Sequence, residues 1–118
     1  MKKELFTEEN FKTLEKAREV YGTQRELGMV IEECAELTKE LIRSARYDDF
    51  SDAVKDTREK VMEELADVYI VLNHVHSLYG ITEEDLLPIV QYKLTRLKKW
   101  LNESASMEHT IYHREEKI

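Results

Sequence analysis

Two short acidic words stand out in the 118-residue chain, Glu32-Glu33-Cys34-Ala35-Glu36 and Glu63-Glu64-Leu65-Ala66-Asp67, with 27 residues between Glu36 and Glu64. On a helix, residues three or four apart lie one turn above each other, about 5–6 Å between Cβ atoms. Glu33 and Glu36 therefore form one vertical pair, and Glu64 and Asp67 another. Like charges at this spacing cost a helix a few tenths of a kcal/mol. Water screens that cost on a solvated face, but between two packed helices the repulsion grows as the dielectric falls. A divalent cation is the simplest compensation, and ligation by oxygen alone favours Mg²⁺ or Mn²⁺ over zinc. The formal charge, 18 − 25 = −7, suits such a site and argues against binding to a nucleic-acid polymer, since no basic field would neutralise phosphates.

The elements that must position these acids are helices. Only three Gly and one Pro occur among 118 residues, too few for a turn-rich β-sandwich. The length suits one domain rather than two. Punctuation predicts an all-α, four-helix bundle-like fold with helices at about 7–21, 24–45, 57–79 and 82–101. Thr7 is placed to cap the first helix and Gly22 to end it in a left-handed position. Thr23-Gln24-Arg25-Glu26 has the form of a capping box for the second. Gly80 stops the third, and Thr82-Glu83-Glu84-Asp85 opens the fourth, where Pro88 is tolerable only near the start. The domain is expected over 1–101, followed by a polar tail over 102–118. One Cys excludes an intrachain disulfide and a Cys-based zinc site. With no apolar leader and no run of about 18 apolar residues, the chain is expected to be cytoplasmic, with no membrane partner.

Apolar spacing puts Leu27, Val30, Ile31, Cys34, Thr38, Leu41 and Ala45 on one face of the second helix, with Cys34 as a small core residue. It groups Val61, Leu65, Val68, Leu72, Val75 and Tyr79 on the third. On that helix Tyr69, Ile70, Val71 and Leu78 spread apolar surface round most of the circumference, which calls for cover on several sides. A homo-oligomer supplies it; the alternative is a central helix wrapped by its own neighbours. At about 100° per residue, Glu64 falls near 300° and Asp67 near 240° from the stripe's centre, bordering the packed face. On the fourth helix, Lys93 lies inside the apolar arc and Arg96 near its edge. Lys93 either serves as counter-ion to the acids or snorkels to the surface; alternatively, Lys93 and Arg96 hold phosphate oxygens.

The pattern Glu-Glu-x-x-Glu, 27 residues, Glu-x-x-Asp is similar to the signature of the all-α nucleoside triphosphate pyrophosphohydrolases. That family includes MazG-like proteins, dimeric dUTPases and phosphoribosyl-ATP pyrophosphohydrolase. The words EECAELTKELIR, EELADVYIVLNHVHSLYGI and YKLTRLKKWL resemble those of a short MazG-like protein, and the resemblance covers about residues 24–101. It implies Mg²⁺ ligation by Glu33, Glu36, Glu64 and Asp67, with Mn²⁺ as a substitute. Glu32 and Glu63 match neighbouring acids that hold metal-bound waters or support the ligands. Lys93 and Arg96 match positions that contact phosphates. The implied reaction converts a nucleoside triphosphate to the monophosphate and pyrophosphate, with a proton taken by Glu32, Glu33 or Glu36. The homo-oligomer expected from the apolar third helix would be a dimer or a tetramer.

Two other function classes compete. A carboxylate-bridged di-iron bundle needs Glu-x-x-His on two helices, and the chain contains no Glu-x-x-His. A non-catalytic helical interaction module would carry the acids as a solvated face. Among the remaining residues, His74 and His76 lie about 200° apart and cannot share a ligand on one helix. They are expected at the core edge or an interface. Asn73 is expected to bond across a subunit interface or touch substrate. Tyr47, Phe50 and Trp100 are expected mainly to pack, and His109 and His113 to lie in the solvated tail.

Overall fold

A computed structural model of the chain describes residues 4–106, which leaves His109 and His113 outside it. The protein is all-α: α1 (Glu8–Tyr21), α2 (Thr23–Ala45), α3 (Phe50–Tyr79) and α4 (Glu83–Ser106). There is no strand among the described residues. None of these helices is long and apolar enough to cross a membrane. Helices α1–α3 form one compact unit that ends at Gly80, and α4 belongs to a second that starts at Ile81.

The helix ends follow local chemistry, with three departures from the sequence reading. Thr7 caps α1 as expected: its hydroxyl accepts from the Asn10 amide, while the Asn10 side chain accepts from the Thr7 amide. Gly22 has φ +86° and ψ 165°, positive but not the left-handed helical conformation expected for it. In that geometry one glycine closes α1 and opens α2 with no linker, so Thr23 is already helical and the expected capping box does not form. The Glu26 carboxylate is spent elsewhere, as shown below. Second, α3 starts at Phe50 rather than near residue 57, because Asp49 caps it by accepting from the Ser51 amide and hydroxyl. The acidic stretch Tyr47-Asp48-Asp49-Phe50-Ser51-Asp52, which falls between the expected second and third helices, thus supplies a cap and a first turn. Third, α4 continues to Ser106, beyond the expected end near 101. Gly80 ends α3 in the left-handed conformation, φ 64° and ψ 34°, as expected. Thr82 and Asp85 exchange side-chain to backbone hydrogen bonds, which hold the Asp85 carboxyl below its ordinary value.

Packing within the first unit is dominated by α2 against α3, with α1 touching both more lightly. The pair is antiparallel: Glu26 meets His74 at one end, and Ser44 meets Thr57 at the other. The face that α2 turns to α3 is not its apolar stripe. Glu26, Glu40 and Ser44 are buried there, with Val30, Glu33 and Leu37 half-buried. The stripe expected to form the core is largely outside: Ile31 is 71% and Leu41 48% exposed, and Cys34 is exposed too. On α3 the buried face carries Ala53, Thr57, Glu64, Val68, Val71 and His74, while Leu65 and Leu72 from the expected stripe are each 41% exposed. Most of the polar residues that reach inward meet a partner or another acid across the seam, while Glu40 is paired by Arg43 of its own helix. At its lower end the Ser44 and Thr57 hydroxyls lie 2.7 Å apart, and Thr57 Oγ1 also donates to the Ala53 carbonyl. Thr57→Val would strand the Ser44 hydroxyl in a buried site. A loss of about 1–2 kcal/mol is expected, readable as a lower urea midpoint at unchanged slope.

Candidate metal centre

Three acids on α2 face α3 at intervals of seven residues: Glu26, Glu33 and Glu40. Seven residues are two helical turns, about 10.5 Å along the axis, so the carboxylates form three layers of the seam. In the upper layer Glu26, only 2% exposed, accepts from His74 Nε2 at 2.9 Å. His74 Nδ1 lies 3.1 Å from an Arg18 nitrogen of α1. An arginine can only donate, so Nδ1 accepts and His74 is the neutral Nε2–H tautomer. Burial, then the Arg18 charge, lower the His74 pKa against the opposing pull of Glu26. In the lower layer buried Glu40 accepts from Arg43 at 2.7 Å.

The middle layer is different. Glu33 meets two more acids, Glu64 and Asp67 of α3, with one carboxylate oxygen of each residue lying within 4.8 Å of the others. Glu64 is buried, and Lys60 approaches it to 3.2 Å from one turn earlier on the same helix. That contact raises the Lys60 pKa. No ion pair among the described residues reaches Glu33. Partial burial and repulsion from Asp67, Glu64, Glu32 and Glu36 push its carboxyl above the ordinary range. Two of the three acids that α2 points into the seam are thus answered by cationic or hydrogen-bond donors. The third is answered by more negative charge. The donor set fits a hard divalent cation: all oxygen, three carboxylates from two helices, close to the roughly 4.2 Å that the widest-set ligands span around an ion bound at about 2.1 Å.

Comparison with known protein families, with curated proteins and with solved structures finds no match. The site must therefore be argued from its own residues. Of the four expected ligands, the fold brings Glu33, Glu64 and Asp67 together. Glu36 is one turn further along α2, outside that group, with its carboxylate 4.0 Å from Lys39. Glu32 is exposed, and Glu63 pairs with Lys60 at 3.6 Å on the surface. Lys93 and Arg96 are on α4, both half-exposed. The Arg96 guanidinium is clasped between the rings of Tyr92 and Trp100, 5.4 and 5.2 Å from their centroids, and its Nε is buried without a hydrogen-bond partner. Trp100 is accounted for by that contact. Tyr47 donates to Asp56 at 3.1 Å, and Asn73 donates back to the Tyr69 and Ile70 carbonyls of its own helix.

Sequence reasoning missed Glu26 and Arg18. It assigned Glu26 to a cap and gave Arg18 no role. The seven-residue spacing of Glu26, Glu33 and Glu40 was the signal, since Asp67 and His74 are also seven apart and pair with Glu33 and Glu26 in antiparallel order.

Proposed function

We propose that the chain is a divalent-metal-dependent nucleoside triphosphate pyrophosphohydrolase, producing nucleoside monophosphate and pyrophosphate. The observation that carries this reading is the middle layer, where three carboxylates, Glu33, Glu64 and Asp67, converge and Lys60 pairs with one of them, Glu64. The order of the acidic words and their resemblance to the pyrophosphohydrolase signature supply the reaction class. Glu33, Glu64 and Asp67 would hold Mg²⁺ or Mn²⁺. Glu36 joins them by turning from Lys39, a half-exposed pair of the kind worth about 0–1 kcal/mol. Bound there, the metal supplies charge neutralisation of phosphate oxygens and activation of water. Glu32, exposed and adjacent, remains available with Glu33 and Glu36 to take a proton. Lys93 and Arg96 are kept as phosphate contacts on their chemistry, which suits charge building on the leaving pyrophosphate. The deciding experiment is pyrophosphate release from a panel of canonical and modified nucleoside triphosphates, with Mg²⁺ and with EDTA. Metal-dependent release of both products is expected; none across the panel, from folded and metal-loaded protein, would overturn the assignment.

The reading includes self-association. Among the described residues only Ala53, Val68 and Val71 are buried apolar side chains, a small core for a chain of this length. The far side of α3 offers Met62, Leu65, Tyr69 and Ile70, which with Leu5 and Phe6 line an open groove of about 500 Å³. We propose that a second copy covers this face. Tyr69→Asp with Leu72→Asp is expected to at least halve the mass measured by light scattering; an unchanged mass refutes that interface. The competing reading, a non-catalytic interaction module, is favoured by the Lys60–Glu64 pair, which partly neutralises the acids from within. It predicts no stabilisation by divalent ions.

A further inference from the structure

The upper layer of the seam is built in a way that stability alone does not favour. Glu26 is buried, yet one of its carboxylate oxygens, Oε2, has no hydrogen-bond partner. Replacing a buried polar pair by apolar residues of similar volume is often neutral or stabilising. What the pair supplies that leucines would not is direction. A hydrogen bond at 2.9 Å from His74 Nε2 to Glu26 fixes both where and how α3 faces α2. Arg18 extends the chain to α1, holding the imidazole in the tautomer that donates to Glu26.

We propose that Arg18, His74 and Glu26 are positioning residues for the acid centre, a register lock two turns above it. This rests on the reading of Glu33, Glu64 and Asp67 as a metal site. Glu33 follows Glu26 by seven residues and Asp67 precedes His74 by seven, so the lock and the centre are consecutive layers of one antiparallel seam. A slip of one residue moves a helix by about 1.5 Å and turns it by about 100°. Metal ligation tolerates only about 0.2 Å. Apolar contacts between α2 and α3 are non-directional and do not forbid such a slip. The middle layer cannot set its own register, because in the absence of metal its three carboxylates repel. Something outside it must, and on α2 the nearest buried, directed contact to α3 is the Glu26–His74 pair, seven residues from Glu33, whereas Ser44, bonded to Thr57, is eleven residues away at the other end.

The test separates direction from stability. In His74→Gln, the amide nitrogen can donate to Glu26 and the amide oxygen accept from Arg18. In the double variant Glu26→Leu/His74→Leu, the site is filled but undirected. Mn²⁺ affinity is measured by titration on full-length protein, with urea midpoints in parallel. His74→Gln is expected to keep wild-type affinity within about threefold, and the double leucine variant to fold but bind at least about tenfold more weakly. Wild-type affinity in a folded double leucine variant would overturn the lock while leaving the metal site intact. The spacing of α2 and α3 is read without metal from nitroxide labels at Ala35→Cys and Ala66→Cys in a Cys34→Ser background. A distance distribution that broadens or shifts in the double variant supports the lock, and an unchanged one overturns it. If the wild-type protein binds no Mn²⁺, the metal reading falls, and this distance measurement still decides whether register is locked. Should the double variant fail to fold, Glu26→Leu alone, which removes the acceptor for His74 Nε2 and with it the directed contact, takes its place in both measurements with the same expected outcomes.

Discussion

Replacing Glu33 with Gln is expected to make the metal-free protein more stable and the metal-dependent reaction at least about a hundredfold slower. The two effects have one cause. Glu33 stands across the seam from Glu64 and Asp67 with no ion pair of its own among the described residues, and its carboxyl is pushed above its ordinary value of 4.5 by partial burial and by those acids. A carboxyl raised in the folded state holds its proton more tightly there than in the unfolded chain. Its contribution is therefore full below about pH 4.5 and is lost as pH rises through the folded value. At neutral pH the ionised Glu33 is a liability unless a cation is present. Glutamine removes that liability, so the urea midpoint of EDTA-treated protein should rise. The same change removes a ligand. Loss of a group one step further from a metal already costs about 10–100-fold, and a direct ligand should cost more. Added Mg²⁺ should raise the midpoint of the wild type and leave that of Glu33→Gln nearly unmoved. A variant that is less stable without metal, or that turns over at the wild-type rate, would show that the middle layer is not a metal centre. Asp67→Asn should behave alike; Glu64→Asn is a poorer probe because it also removes the Lys60 ion pair.

The parts of this protein legible in its sequence are those set by local rules. Helix existence follows from composition and spacing, and Thr7, Gly80 and Thr82 act as caps or stops because their chemistry is short-range. The start of α3 was not legible, since Asp49 and Ser51 serve a loop or a cap equally well and only the burial of Ala53 decides between them. The wrong core face on α2 has a deeper reason. Periodicity finds the most apolar stripe and assumes that it packs within the chain. Here the residues turned inward are Glu26, Glu33, Glu40 and Ser44, and Ile31 and Leu41 are turned out. A helix whose polar face packs against its neighbour inverts that assumption. The inversion puts charge in the seam between α2 and α3 and leaves apolar surface facing out.

That Glu33, Glu64 and Asp67 meet was legible because antiparallel helices with acids at matched offsets must bring some of them together. The layer order was not, because it depends on register, and the observed register sets Glu26 against His74 and Ser44 against Thr57, none of them among the apolar residues used to count it. Histidine in an apolar run is ambiguous from sequence; its role appears only when the groups facing it from other helices are known.

His74→Ala is expected to cost about 3 kcal/mol or more, the second large effect and the one with a distinctive pH signature. Alanine leaves Glu26 buried with neither oxygen partnered and Arg18 without its acceptor. Removing one member of a buried polar pair typically costs about 3–5 kcal/mol when the survivor is charged. The double variant Glu26→Leu/His74→Leu should recover most of that loss, because it removes the stranded group along with its partner. The pH dependence follows from the depressed His74 value. The unfolded chain takes up a proton near 6.5, whereas burial and Arg18 delay protonation of the folded chain to lower pH. Between those two values the unfolded state binds more protons, so stability is full above about pH 6.5 and falls as pH drops through that window. Glu26 opposes this trend by favouring the imidazolium, and Arg18 reinforces it by facing the other ring nitrogen. Urea midpoints followed from about pH 7.5 down to about pH 5 should decline in the wild type. In the double leucine variant the part of the decline due to His74 should vanish. If both proteins decline equally, His74 is not the titrating group, and the acid sensitivity belongs to carboxylates elsewhere in the seam.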